Sequence, residues 1–425
     1  MGGDLLTDYL VDDLRAAQTG DQEAFARLTE PHRRELLVHC YRMMGSLQDA
    51  EDMVQETLLR AWRGLDTFLR RVSFRAWLYK IATNACLNAL GKRPQRTLPA
   101  AIYPAADPRE PIASPVEEPV WLEPLPDDWL VDTAENPEAR YTLRESVTLA
   151  FLVALHLLPP RQRAVLILRD VLDWRTREVP GLLGMTISAV NSMLHRGRTA
   201  MAKHHRADGH QAVQPLLDDE KTRRLLNAYV QAWDAADIIR LIALLKDDVA
   251  WIMPPLPTWY RGREAIRAFM SARVLSARAR GVRSRHVPTR ANGQPAMATY
   301  HRPKAGDAYQ AFGLQVLTLD ESTWQIAEIT NFWSPSSFLV SVWHPNCRSD
   351  QSTSSAKSDS RFDPRDDRSK SGRTDEAFSK PLPWTARPSL QGQLAVYILL
   401  PLAGFARRVA SEFLVTEVEG DASKW

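Results

Sequence analysis

From about residue 8 to 92, apolar positions recur at helical spacing: Phe25, Leu28, Leu36 and Leu37 form one stripe, and Met53, Val54, Leu58 and Trp62 another. Gly45, Ser46 and Gly64 punctuate the run, so it reads as several helices. Over 93–140 the periodicity disappears. Ten prolines stand there, with ten Asp or Glu against four Arg, a density that blocks helix and sheet ladders. This segment is expected to be an extended acidic linker that keeps its flanking domains apart.

Helical periodicity returns over 141–206. Pro160 suits the first position of a helix, a short helix is expected after Trp174, and Thr186 is placed to cap another. Over 216–338 two helical stretches (219–233 and 237–246) precede strand-like runs at 249–253, 295–301, 310–319 and 324–332. Helices followed by strands point to an α+β domain. Residues 345–425 are expected to be a disordered tail, rich in Ser, Asp, Arg and Lys up to about 388. Its apolar stretch, 394–406, is thirteen residues long and interrupted by Pro401, short of the roughly 20 that span a bilayer, so no stable membrane insertion is expected.

A length of 425 residues fits two or three domains. The net charge is only +3, so the total does not mark a nucleic-acid binder; the charges instead segregate along the chain. Cys40, Cys86 and Cys347 are far apart and form no CxxC pair, which argues against a disulfide framework or zinc site. The acidic start lacks a signal-peptide pattern. A cytoplasmic protein without a cofactor is expected.

Three constellations carry function. On a helix through residues 49–62, Asp49, Asp52 and Glu56 share one side with Gln55 beside them, while Ala50, Met53, Val54, Leu58 and Trp62 face the core. Such a stripe by itself is an ordinary solvated face. Downstream, on a helix beginning near Ser73, Trp77, Lys80, Asn84 and Asn88 fall in one stripe beside the apolar Phe74, Leu78, Ile81 and Ala85. Aromatic, cationic and amide groups together suit unstacked bases and phosphates. Residues 158–205 then follow helix-turn-helix grammar. On the last helix Ile187, Val190, Leu194, Gly197 and Met201 cluster on one side. Ser188, Asn191, Ser192, His195, Arg196, Thr199 and Lys203 project from the other, amide-bearing first and cationic later, an order that suits base edges and then phosphates.

The strings VHCYRMMGSLQDAEDMVQETLLRAW, SFRAWLYKIATNACLNAL and LPPRQRAVLILRDVL resemble regions 2 and 4 of extracytoplasmic-function (ECF) sigma factors. The resemblance implies an all-α region 2 over 8–92, the linker over 93–140 and an all-α region 4 over 141–206. It further implies core RNA polymerase as partner, with Asp49, Asp52, Gln55 and Glu56 on the β′ clamp helices and region 4 near the β flap. Phe68, Arg70, Arg71, Trp77, Lys80, Asn84 and Asn88 would hold the minus-ten element of promoter DNA, and the outward face of the last helix would read the minus-thirty-five element.

VAWIMPPLPTWYRGREAI, VPTRANGQPAMATY and FGLQVLTL resemble an NTF2/SnoaL-like cone domain. Its fold is shared with isomerase-type enzymes, whose cavity holds an acid-base carboxylate. Asp237, Trp251, Met253, Trp259 and Tyr260 are the candidate pocket residues, and no Asp/His pair stands out by spacing. The leading expectation is a sigma factor, not an enzyme, regulated in cis by this domain. The alternative is a helix-turn-helix regulator fused to a polyketide-cyclase or isomerase-like domain.

Overall fold

In the computed structural model the described residues are 3–333, apart from 69–71, 92–93, 117–119, 131–143, 208–211, 214–219, 280–282, 303–308 and 321. The chain divides into two units, Met1–Ser354 and Ser355–Trp425. The expected tail and its apolar stretch lie outside the described residues.

The first helical block holds α1 (Gly3–Gln18), α2 (Gln22–Met44), α3 (Leu47–Gly64) and α4 (Phe74–Leu90). Each boundary has a local cause. Asp21 caps α2 by accepting the Glu23 and Ala24 amides at 2.9 and 3.1 Å, and Ser73 caps α4 through the Ala76 amide at 3.1 Å. At the end of α2, Gly45 takes φ +74, and its amide bonds the Tyr41 carbonyl at 2.7 Å. A Cβ there would also fall 2.5 Å from Leu122 and 2.7 Å from His156, so two other parts of the chain press on this one residue.

The second block holds α5 (Leu149–His156), α6 (Pro160–Leu166, running into a π turn at Ile167–Val171), α7 (Val179–Leu183) and α8 (Ile187–Ala207). Pro160 opens α6 as expected, and Thr186 Oγ1 accepts the Ala189 amide at 3.2 Å. Pro180 is the second residue of α7, where an amide would lack an intrahelical partner anyway.

The third block begins with α9 (Glu220–Ala235) and α10 (Ile238–Ala243), ahead of a sheet of β2 (Leu245–Ile252), β3 (Trp259–Arg261), β4 (Arg283–Ala291), β5 (Gln294–Arg302), β6 (Gln310–Asp320) and β7 (Ile326–Trp333), with α11 (Arg263–Ala279) between β3 and β4. The order is β3-β2-β7-β6-β5-β4, with β2 and β7 parallel, and the two-residue β1 (Ala212–Val213) joins β6. Successive side chains alternate between faces. Met297, Leu317, Leu319 and Ile329 pack inward with Trp251 against Tyr229, Ile266, Phe269 and Met270 of the covering helices. Ala296, Ala298, Tyr300, Leu314, Val316 and Phe332 face the other way and join one continuous core with both helical blocks. A sheet covered on both faces explains why β5 and β6 are buried along most of their length.

The linker differs from expectation. Leu98, Leu122 and Leu125 lie in that shared core, and Trp121 is 8% exposed. The segment is laced down by the amides that proline leaves it. Leu122 N bonds Thr97 O at 2.9 Å, Glu123 N bonds Gly45 O at 2.9 Å, and Ala106 N bonds Trp259 O at 2.8 Å. Burying each large apolar side chain is worth about 1.5–3 kcal/mol, enough to order a chain whose prolines have already restricted it.

The two helical blocks also touch directly. The Tyr79 and Trp174 rings lie 5.4 Å apart, and the Arg75 guanidinium sits over both. His156 Nε2 donates to Arg42 O at 3.2 Å, Arg163 donates to Met43 O at 2.5 Å, and Arg42 donates to Ser146 Oγ at 2.7 Å. The second block thereby satisfies carbonyls at the C-terminal end of α2. Burial lowers both Arg42 and Arg163 to about 10.

Burial also pushes His39 down to about 3 and His156 well below the ordinary imidazole range. Both are neutral in the folded chain, and the unfolded chain binds the extra protons in acid. Their contribution to stability is therefore complete above about pH 6.5 and is lost as the pH falls, by about 1.4 kcal/mol per unit for each group. The denaturant midpoint should drop between about pH 6.5 and 4.5, and His39→Gln should flatten that slope. Equal slopes for the two proteins would contradict the burial argument.

Candidate nucleic-acid interface

The acidic stripe of α3 is split by its surroundings. Asp52 and Gln55 are exposed, and Glu56 Oε1 accepts Arg60 Nε at 2.7 Å one turn on. Asp49 is not free to a partner as expected. Its Oδ2 lies 2.8 Å from the Arg96 guanidinium, with both side chains 14% exposed, and Arg96 reaches Glu123 at 3.1 Å as well. Periodicity put Asp49 on the right side of the helix, but it could not show that a cation 47 residues away covers it.

On α4, Lys80 and Asn88 are exposed, whereas Asn84 and Trp77 are half-buried. Phe68 is a correction. It is 7% exposed, with ring centroids 5.6 Å from Phe74 and 5.0 Å from Trp77, and it packs with Leu14, Ala17 and Leu65. An aromatic side chain beside two others gains more from this cluster than from solvent, so in this conformation Phe68 is covered and not exposed as expected. Arg70 and Arg71 lie outside the described residues.

The outward face of α8 is as expected. Ser188, Asn191, Ser192, His195, Arg196, Thr199 and Lys203 are all exposed along one helix, with Val190 and Leu194 buried behind them. Gly197 admits Leu166, whose Cδ1 would be 3.3 Å from a Cβ there. Ile187, placed with the core side by periodicity, is the first residue of the helix and 55% exposed. Arg198 is tied back to Asp170 at 2.6 Å, leaving Arg196 and Lys203 as the outward cations of this set. Arg196→Ala or Lys203→Ala should weaken binding to every DNA sequence and reduce the salt slope by about 1 for each phosphate no longer neutralised. Asn191→Ala or Ser192→Ala should instead change the preference among sequences. Identical behaviour of the two classes would overturn this division of the helix.

The candidate pocket residues do not converge. Trp251, Met253 and Tyr260 are fully buried core residues. Asp237 caps α10 through the Arg240 amide at 3.0 Å, and Trp259 Nε1 donates to Tyr103 O of the linker at 2.8 Å. An aromatic ladder of Tyr229, Trp233, Trp251, Phe269 and Tyr260 fills the space between sheet and helices. The described cleft, about 560 Å³, lies elsewhere, among Ile239, Ile242, Asp247, Arg261 and Arg263. Sequence spacing missed one pair: His286 Nδ1 stands 2.7 Å from an Asp234 carboxylate oxygen, where the end of α9 meets β4. No three His, Cys, Asp or Glu side chains among the described residues are grouped to hold a metal. No helix among them is long and apolar enough to cross a membrane.

Residues 28–95 match the Sigma-70 region 2 family, 148–201 the Sigma-70 region 4 family and 226–329 the SnoaL-like domain family. The chain is 45% identical over 296 residues to the ECF RNA polymerase sigma factor SigG of Mycobacterium tuberculosis, covering 69% of this chain and 78% of that one. It is 28% identical over 194 residues to the ECF sigma factor SigW of Bacillus subtilis, covering 45% and 95%. The solved structure of M. tuberculosis SigJ, an ECF sigma factor, aligns over 73% of this chain and 96% of that chain, with 20% identity and a TM-score of 0.47. The extent and identity of the first match, together with both sigma regions in order, place this chain in the family of extracytoplasmic-function RNA polymerase sigma factors.

Proposed function

We propose that this sigma factor is stored closed, with its SnoaL-like domain as an internal clasp, and that it must open to direct core RNA polymerase to a promoter. One observation carries the reading. Asn292, at the tip of the β4–β5 hairpin and 0% exposed, bonds three separate segments through one side chain. Its Nδ2 donates to Tyr41 Oη and to Val147 O, each at 2.8 Å, and its Oδ1 accepts Leu125 N at 2.9 Å. Region 2, the start of region 4 and the linker therefore meet on one amide. Asp127 of the linker reinforces it, accepting the Gly293 amide at 2.7 Å and Arg290 Nε at 3.0 Å.

Promoter geometry supports the need to open. Elements at minus ten and minus thirty-five are about 25 base pairs apart, roughly 85 Å of duplex at about 3.4 Å per step. Helices α4 and α7, in contact here, belong to the two regions that read those elements. In this reading Asp52, Gln55, Glu56 and, once Arg96 withdraws, Asp49 dock on the β′ clamp helices. Region 4 docks on the β flap, and α8 enters the major groove. Trp77, Lys80, Asn84 and Asn88 hold the melted strand. The protein acts in the cytoplasm, without a cofactor and without catalysing a reaction on a substrate; the aromatic filling of the cone and the scatter of the candidate pocket residues favour a clasp over an enzyme.

The test is a distance. Dyes on cysteines replacing the exposed Arg63 and Ala200, in a chain carrying Cys347→Ser, should transfer energy efficiently in the free protein. Cys40 and Cys86 are buried and do not compete for label. Transfer should collapse when core polymerase and promoter DNA are added. Undiminished transfer in an active complex would overturn the closed-to-open reading.

A further inference from the structure

We infer that Asn292-Gly293 is a modification site, a pair that loses ammonia once the clasp opens and thereby keeps the clasp from closing again. The inference rests on the closed-to-open reading above.

The chemistry is that of an asparagine followed by glycine. The Gly293 backbone nitrogen attacks the Asn292 side-chain carbonyl carbon. A C–N bond forms, the Cγ–Nδ2 bond breaks, and ammonia leaves with the proton the backbone nitrogen gives up. Water then opens the five-membered imide at either carbonyl, leaving aspartate or isoaspartate. One water is consumed and one ammonia released, with no change of oxidation state. Glycine permits the attack because no Cβ crowds its nitrogen. The fold requires glycine there for a different reason. Gly293 has φ +70, and a Cβ would lie 3.1 Å from Arg144 O. The tight approach that builds the clasp thus places the reactive dipeptide at its centre.

In the closed chain both reacting groups are held by other bonds. The electrophile is pinned by the three side-chain bonds to Tyr41, Val147 and Leu125. The nucleophile is pinned because Gly293 N–H donates to Asp127 Oδ1 at 2.7 Å, a bond that fixes the orientation of its peptide group. Asn292 is wholly buried, so water is excluded too. Separating the hairpin from the linker frees electrophile and nucleophile in one step.

The product cannot remake the site. Asn292 Nδ2 donates to two oxygens, and the Tyr41 hydroxyl already spends its own proton on Glu123 O at 2.6 Å. A carboxylate has no proton to give either acceptor and would be buried as an uncompensated charge. Isoaspartate also lengthens the backbone of a two-residue turn. The chain would then stay open, so time spent open is recorded covalently.

The experiment follows the Asn292 peptide by mass spectrometry and resolves aspartate from isoaspartate by chromatography. It compares the free full-length chain, the same chain on core polymerase, and a synthetic peptide of residues 287–297. Conversion should be at least tenfold slower in the free chain than in the peptide and should approach the peptide rate on polymerase. Free-chain conversion at the peptide rate would overturn the inference. So would slow conversion on polymerase when the dye pair shows the chain open. If the dye pair shows it still closed, the closed-to-open reading fails and this inference falls with it. As an independent arm, full-length Asn292→Asp should give several-fold more run-off transcript than the unmodified chain at limiting polymerase, and equal transcript would sink the one-way step. Asn292→Gln, whose ring closure would need six members, should show no comparable conversion.

Discussion

Replacing Asp52 and Glu56 together by lysine is expected to abolish association with core RNA polymerase while leaving the fold intact. Asp52 is exposed, and Glu56 contacts Arg60 across one turn with its side chain 41% exposed. Losing that pair costs the helix only about 0.3–0.5 kcal/mol. If α3 docks on a cationic surface, as proposed, two reversed charges cost several kcal/mol, since like-charge juxtaposition replaces attraction. Association should weaken at least a hundredfold, about 2.7 kcal/mol, with an unchanged melting temperature. Gel filtration with core polymerase, beside a thermal melt of the free protein, checks both halves. Arg96→Ala should move the other way, strengthening association several-fold by releasing Asp49. Normal co-elution of the double variant would remove α3 from the polymerase interface.

Asn292→Gly should raise run-off transcription at limiting polymerase by about tenfold. Glycine keeps the left-handed turn, because φ +55 at this residue costs it nothing, and so isolates the side-chain bonds from backbone strain. The substitution leaves the Leu125 amide without its side-chain acceptor and Tyr41 Oη and Val147 O without their donor. Each buried group left unsatisfied costs about 1–3 kcal/mol. Water entering the gap recovers part of this, and about 1.4 kcal/mol is enough for a tenfold rise when the open fraction is small. Point changes are better than truncation after residue 206. Removing the sheet would strip Tyr300, Leu314, Val316 and Phe332 from the shared core and expose the helical regions beneath. Unchanged transcription with a weakened closed state would show that opening is not the controlling step.

Much of the architecture could be read without the structure, because its signals act within a few residues. Ser73 and Thr186 cap helices through the amides three positions on, and Pro160 starts one where its missing amide is harmless. The outward face of α8 follows from a period of about 3.6 residues. The strands at 295–301, 310–319 and 324–332 follow from their β-rich runs, each ending within two residues of its observed bounds. The family resemblance rested on three such local strings and agrees with the matched regions.

What escaped was everything decided by apposition. Among the described residues of 93–140 there is no ladder, only isolated bridges, as the proline density implied, but the apolar Leu98, Trp121, Leu122 and Leu125 between the prolines were the signal that this segment has a core to join. Phe68 looked like a base-binding aromatic because its loop precedes α4; only the folded cluster shows it packed against Phe74 and Trp77. Asp234 and His286 are 52 residues apart, Asp49 and Arg96 are 47 apart, and Tyr41 and Asn292 are 251 apart. No period or cap links residues at such separations. Sequence alone determined the helices of the first two blocks, the outward face of α8 and the family, but it missed α11 and β4 and carried the second helix of the third block, expected to residue 246, into β2. The tertiary structure decided which of those faces are covered, because covering depends on buried area and hydrogen-bond geometry between segments that meet only when the whole chain folds.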